Sequence, residues 1–348
     1  MSNHSDLQLE ENKKNNFSKR NIDRCFSSPL VDLQEVDEKF NGVLCPEAEV
    51  NLPKIGVSDS LLSGAEEYFN KFQQFSYIFG LIKQELDRLK CSPEGLAIDF
   101  GSGFGNTVIP LLEHFSTLNV IATDISPDLL AILRRESIKR NIDNRCTVVA
   151  MDAQRDYFKP EIADIVFGCA VLHHMAEPDK VIRTALKVLK PGGHAIFFEP
   201  FEIGSAIMRL AFLEILATAK LKNEAGPGFD FLANMNMDIV VRTHRQRYPG
   251  FSETWHTLDD KWLFSRNYFE NICHSVGASK VTIRSLHEPL LQFTEQTKVA
   301  ITAYGGLPCE SLPQWAWDII ARYDNEHFSP EMKRELIIEA AVILTKEF

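Results

Sequence analysis

The stretch LAIDFGSGFGN, residues 96–106, sets glycines at 101, 103 and 105 directly after an apolar run. No other feature restricts the fold of this chain as much. Three alternate positions without a Cβ let a strand-to-helix turn take left-handed backbone angles and lie against a ligand. LAIDF reads as a short buried strand, and NTVIPLLEHF as the helix that follows the turn.

The same alternation continues downstream. LNVIATD, CTVVAMD, ADIVFGCA and HAIFFEP read as four more strands. Between the first two, Ser126-Pro127 opens a helix, with serine as N-cap and proline in the first turn. PDKVIRTALKVLK is a helix with Val181, Ile182, Ala185, Leu186 and Leu189 on one side. Nearly all-apolar strands separated by helices predict a parallel sheet covered on both faces. KVTIRSL and LIIEAAVILTK supply two closing strands. The expected class is α/β, a Rossmann-like, doubly wound, seven-stranded mixed sheet with helical lid insertions.

The domain limits follow from this rhythm. Residues 1–55 are polar and read as a flexible N-terminal arm, and 56–348 as the domain, with a core at 91–200. Segments 201–264 and 287–334 read as lid or substrate insertions. From Ser60 to Lys90 the spacing of Tyr68, Phe72, Phe75 and Phe79 predicts one helix with an aromatic face. That face reads as core packing, or as a helix closing over a ligand.

Charge and cysteines narrow the class. The 348 residues carry 48 acidic and 37 basic side chains, a net charge of −11. An acidic surface repels phosphate backbones, so no nucleic-acid partner is expected. Seven cysteines without a C-x-x-C pair suit reduced thiols. No apolar run reaches the ~20 residues of a membrane span, and the polar N-terminus has no apolar stretch of a secretion signal. The expected location is cytoplasmic, and a homodimer is admitted.

Two cofactor classes use a glycine turn of this kind. A dinucleotide fingerprint wants a third glycine where this chain has Asn106, which argues against a nicotinamide oxidoreductase. The pattern present is D-x-G-x-G-x-G from Asp99. Asp124 ends the second strand, where a carboxylate can take both hydroxyls of a ribose. Asp152 ends the third, where one can accept from an adenine amino group.

DFGSGFG (99–105), TDISPDLL (123–130), MDA (151–153), ADIVFGCAVLHHM (163–175) and LKPGGHAIFFEP (189–200) together resemble the class I S-adenosylmethionine-dependent methyltransferases. The likeness is to small-molecule enzymes related to quinone-biosynthesis methyltransferases. It covers residues 60–200 well and the closing strands more weakly. It implies S-adenosyl-L-methionine as cofactor. Gly101, Gly103 and Gly105, with Ser102, would leave room for its methionine part, and Asp99 would hold the ammonium. Asp124, with Ile125 beside it, would take the ribose. Asp152 and the Ala153 N–H would read adenine, and the Cys169 carbonyl would lie near the ammonium.

The expected reaction is methyl transfer to a small-molecule acceptor, with oxygen ahead of nitrogen or carbon. His173 and His174 follow the fourth strand, and imidazole titrates where a general base is useful. The competing reading is that one histidine braces the loop. Glu199, ending the fifth strand, is a further catalytic candidate, or a carboxylate bonded to backbone. Arg242, Arg245 and Arg247 admit an anionic acceptor, with His256 also on the substrate side. The competing reading of these arginines is an internally paired basic stretch. His244, His256 and His287 show no short metal-ligand spacing, so no metal is expected. The rival from another class is a non-catalytic adenosyl-binding partner that kept the fold.

Overall fold

The computed structural model of the chain describes residues 22–52, 64–243, 255, 258–276, 278–287 and 291–347. Strands β1 (Leu30–Asp32) and β2 (Val43–Pro46) come first. Helices α1 (Ala65–Lys71) and α2 (Phe75–Leu89) precede β3 (Gly95–Phe100). Then follow α3 (Val108–His114), β4 (Leu118–Asp124), α4 (Pro127–Lys139), β5 (Cys146–Ala150), β6 (Ala163–Cys169), α5 (Pro178–Val188) and β7 (Leu189–Pro200). The remainder is α6 (Glu202–Lys222), α7 (Pro227–Thr243), α8 (Arg266–Val276), β8 (Ala278–Ser285), α9 (Gln292–Val299), α10 (Gln314–Asn325), α11 (Pro330–Glu335) and β9 (Glu339–Lys346).

The strands form one sheet in the order β1-β2-β5-β4-β3-β6-β7-β9-β8. From β2 to β7 every neighbouring pair is parallel, and β1 is antiparallel to β2. The chain winds from β3 outward to β4 and β5, then returns to lay β6 on the other side of β3. The direction of winding therefore reverses at β3, where ligands of open α/β sheets collect at the carboxyl ends of the strands. Five of the six residues of β3 are buried, as its apolar composition requires of a central parallel strand. The Ser126 hydroxyl accepts the Leu129 N–H at 3.3 Å and Pro127 stands in the first turn, so α4 starts where its capping residues direct.

The sheet has nine strands, not seven. Both extra strands come from the segment read as a polar arm. Residues 22–52 fold: β2 lies parallel to β5, with Val43 opposite Val148 and Leu44 opposite Val149. Phe26, Val43 and Cys45 are buried. Strands of three and four residues amid charged neighbours are too short for alternation to show in the sequence.

The helix expected across residues 60–90 is two helices, broken at residues 72–74. Its aromatic stripe is not fully buried: Tyr68 is exposed and Phe72, Phe75 and Phe79 are half-buried. Tyr68, Phe69 and Phe75 instead pack around Phe104 of the glycine loop, with centroids 5.8, 5.2 and 6.3 Å away.

The chain divides into two compact units. One holds the described residues of Met1–Phe198, Glu270–Thr282 and Val342–Phe348. The other holds those of Glu199–Phe269 and Ile283–Ala341. The second unit has its own core, with Phe212, Ile215, Leu232, Phe293, Ile301 and Ile320 at its centre. The buried Asp324 carboxylate caps α9 there, accepting from the Phe293 and Thr294 N–H groups at 3.0 and 2.9 Å.

Candidate active site

The glycine turn closes onto the end of β4. The Ser102 N–H donates to the Thr123 carbonyl at 2.8 Å, and the Gly103 N–H donates to Asp124 Oδ2 at 2.8 Å. The other Asp124 oxygen accepts the Ser126 N–H at 2.8 Å. Its carbonyl takes the Met151 N–H at 2.9 Å, tying the end of β4 to the end of β5. The Asp124 carboxylate is thus a strut of the loop as well as a candidate for the ribose.

The glycines have different tasks. A Cβ on Gly101, at φ +66°, would stand 2.2 Å from Val171 Cγ2, so the close approach of the segment after β6 demands glycine. Gly103, at φ +51°, has nothing within 4 Å of such a Cβ. Its bare backbone faces open space, as a main-chain cradle for a ligand should.

Asp99, at the end of β3, is 1 % exposed. Neither of its carboxylate oxygens has a hydrogen-bond partner among the described residues. The nearby Ser102 hydroxyl donates to the Asp99 carbonyl instead, at 3.0 Å. Burial pushes the Asp99 pKa up to about 7; Ser102 partly opposes the rise and the Asp124 charge adds to it. A buried carboxylate without a partner is costly unless a cation or donor meets it. The donor set fits the amino-acid end of an adenosyl sulfonium: an unmatched carboxylate for an ammonium, and open main chain beside it.

At the end of β5 the Asp152 carboxylate is fully buried and accepts from the Gln154 N–H and side-chain amide at 3.0 and 3.1 Å. Ala153 is buried beside it, and Ile125 is half-buried after β4. At the end of β6, Cys169 is half-buried. The next residue, Ala170, holds φ +53°, an angle that alanine rarely adopts. That turn leads into a short 3-10 helix, Leu172–His174. His173 is buried and His174 half-buried, their rings 4.1 Å apart. The cofactor residues expected from the sequence therefore lie in one row along the carboxyl ends of β5, β4, β3 and β6.

The other candidates lie in the second unit or outside the described residues. Glu199 is buried near the end of β7, in the second unit. Arg242 is engaged within its own unit, by Asp238 at 3.2 Å, Asp260 at 3.5 Å and the Trp262 carbonyl at 2.8 Å. Of the two readings of this arginine, these contacts match the internally paired one. Arg245, Arg247, His244 and His256 lie outside the described residues. His287 pairs with Glu339 at 3.1 Å.

Two residues escaped the sequence reading. Asn106 accepts the Gln74 N–H and donates to the Phe72 carbonyl, both at 2.9 Å, clamping the break between α1 and α2 onto the glycine loop. Glu49 is 1 % exposed and accepts the Asp152 N–H at 2.6 Å. Asn106 registered only as a mismatch to the dinucleotide pattern, and Glu49 was hidden in the supposed arm.

Residues 98–195 match the family model described as a methyltransferase domain. The chain is 26% identical over 113 residues to a sterol 4-C-methyltransferase of Caenorhabditis elegans, covering 32% of this chain and 33% of that protein. It is 30% identical over 112 residues to the mitochondrial 2-methoxy-6-polyprenyl-1,4-benzoquinol methylase of the same organism, covering 32% and 39%. It is 34% identical over 108 residues to a tRNA N(3)-methylcytidine methyltransferase of Drosophila melanogaster, covering 28% and 32%. The matches thus span about a third of these relatives' lengths. The three names carry chemically different acceptors, so the shared stretch does not specify one. No helix among the described residues is long and apolar enough to cross a membrane. With its glycine turn, its row of strand-end carboxylates and its matching methyltransferase-domain model, the stretch at 98–195 fits a class I S-adenosylmethionine-dependent methyltransferase domain.

Proposed function

We propose that the chain transfers a methyl group from S-adenosyl-L-methionine to a small-molecule acceptor, with oxygen as the accepting atom. The observation that carries the cofactor part is the Asp99 carboxylate, buried without a hydrogen-bond partner among the described residues at the point where the sheet reverses. When bound, the cofactor supplies a methyl carbon already activated by its sulfonium. Asp99 receives the ammonium and the Gly103 main chain lies along the amino-acid tail. Asp124 takes ribose hydroxyls while its bond to Gly103 holds the loop in shape. Asp152 and the Ala153 N–H receive the adenine.

The remaining task of the protein is alignment, for which fixed geometry contributes roughly 7–11 kcal/mol in well-oriented reactions. His173 or His174 takes the proton of a hydroxyl acceptor, an assistance of about 10²–10⁴-fold. Their position just after β6, on the edge that carries the cofactor row, supports that role. A carbon acceptor is the second reading, favoured by the relative named as a 4-C-methyltransferase.

Equilibrium dialysis against S-adenosylmethionine and NAD tests the cofactor: binding of the first and not the second is expected, and the reverse sinks the reading. Incubation with labelled methyl donor and host extract then identifies the acceptor. With an oxygen acceptor in hand, His173→Asn and His174→Asn separate the base from a bracing residue. The base variant loses the acid limb of the rate profile, and the other does not.

A further inference from the structure

We propose that Glu49, from the N-terminal segment, is a positioning residue that sets the Asp152 loop for recognition of the cofactor's adenine. The inference rests on the cofactor reading above.

The sheet brings Glu49 to this place. Because β2 runs parallel to β5, its carboxyl end emerges on the edge where β5 ends. The turn Glu47–Glu49 follows β2 directly. Glu49 Oε1 then accepts the Asp152 N–H at 2.6 Å, a short charge-assisted bond in a site closed to water. It fixes the peptide plane that leads into Asp152, next to the Cα from which the Asp152 side chain departs and one peptide before the Ala153 N–H. These are the two groups assigned to the adenine.

A second contact holds the same loop from its far end. The Ser27 N–H donates to the Tyr157 carbonyl at 2.7 Å, and the Lys159 N–H to the Cys25 carbonyl at 2.8 Å. The Phe26 and Phe158 rings lie 4.5 Å apart between them. Residues 152–159 are therefore gripped at both ends by residues 25–49. Burial raises the Tyr157 pKa, and the neighbouring Glu49 charge adds to the rise, which places the carboxylate beside the loop's interior. The N-terminal segment thus serves as a wall of the base pocket. A loop held with an acidic acceptor toward the base suits a purine with an amino group and rejects one with a carbonyl oxygen at that position.

The test is calorimetric binding of S-adenosylhomocysteine and its deaminated analogue S-inosylhomocysteine to the full chain, as wild type, Glu49→Gln and Glu49→Ala. Wild type prefers the adenosyl ligand. Glu49→Ala loses that preference by about tenfold or more, the scale of one lost bond to a charged group. Glu49→Gln keeps an oxygen acceptor for the Asp152 N–H and recovers most of the preference. Should the alanine variant not fold, Glu49→Asp, shorter by one methylene, shows the same fall. An unchanged ratio between the two ligands, or an equal loss of both, overturns the assignment while leaving the cofactor reading intact. A wild-type chain that binds neither ligand overturns the cofactor reading itself.

Discussion

The carboxylate of Asp124 accepts the backbone N–H of Gly103 at 2.8 Å, so a side chain at the end of β4 braces the turn at the end of β3. One residue thus serves the shape of the loop and, by the reading above, the ribose. Asp124→Asn keeps one oxygen, for either the Gly103 or the Ser126 N–H, and loses the charge; Asp124→Ala loses both bonds and the charge. Calorimetry with S-adenosylhomocysteine should show weaker binding in both variants, the alanine form by roughly 1.5–3 kcal/mol, the scale of a hydrogen bond to a charged group. Equal affinity in all three forms removes Asp124 from the site.

Asp99 ties stability to pH. Its carboxyl moves from an ordinary 3.8 to about 7 on burial, so the folded protein favours the neutral form. Its contribution to stability is fully present below pH ~4, is lost as pH rises toward 7, and is absent above. The slope is at most about 1.4 kcal/mol per pH unit. Thermal unfolding from pH 5 to 8 should show wild type losing ground to Asp99→Asn as pH rises. An ammonium ligand favours the ionised form, so affinity for S-adenosylhomocysteine should climb with pH up to about 7 in wild type and stay flat in the variant. A flat wild-type profile refutes the pairing.

Gly101 and Gly103 should fail differently. Gly101→Ala places a methyl 2.2 Å from Val171 Cγ2 and adds left-handed strain of about 1–2 kcal/mol. A markedly lower melting temperature is expected, with partial recovery in the Gly101→Ala, Val171→Ala double variant. Gly103→Ala carries the strain but meets no neighbour, so it should stay folded and lose cofactor affinity by about tenfold or more, since its methyl fills the space along the bare main chain. Denaturation and calorimetry on the same samples decide.

Arg242→Ala should act on stability. The guanidinium is buried between Asp238 and Asp260, and its removal takes that ion pairing from both acids. For a fully buried pair the loss is about 3–5 kcal/mol, and the exposure of both acids to screening solvent puts this one below that range, at about 1–3 kcal/mol. Urea unfolding measures it. A raised acceptor KM at unchanged stability would restore the anion-binding role.

The cofactor row was legible in the chain because each of its members ends a strand. β3, β4, β5 and β6 are apolar runs of five to seven residues, and a parallel sheet places their carboxyl ends on one edge whatever the loops do. Asp99, Asp124 and Asp152 follow from register alone, as Ser126 follows from capping. Short edge strands and long-range pairings leave no such periodic mark. The pairing of β2 with β5 joins residues about a hundred positions apart, and the bond from Glu49 to Asp152 spans 103. Arg242 could have faced solvent or ligand by its sequence, and only the packing of its unit brought Asp238, Asp260 and the Trp262 carbonyl around it. Local hydrophobic pattern thus determined the sheet's centre, and the resemblance of the strand-end motifs pointed to the cofactor. Tertiary contact decided that Glu49 meets the Asp152 N–H and that Arg242 pairs with Asp238 and Asp260, because those interactions depend on proximity in space and not on neighbours in the chain.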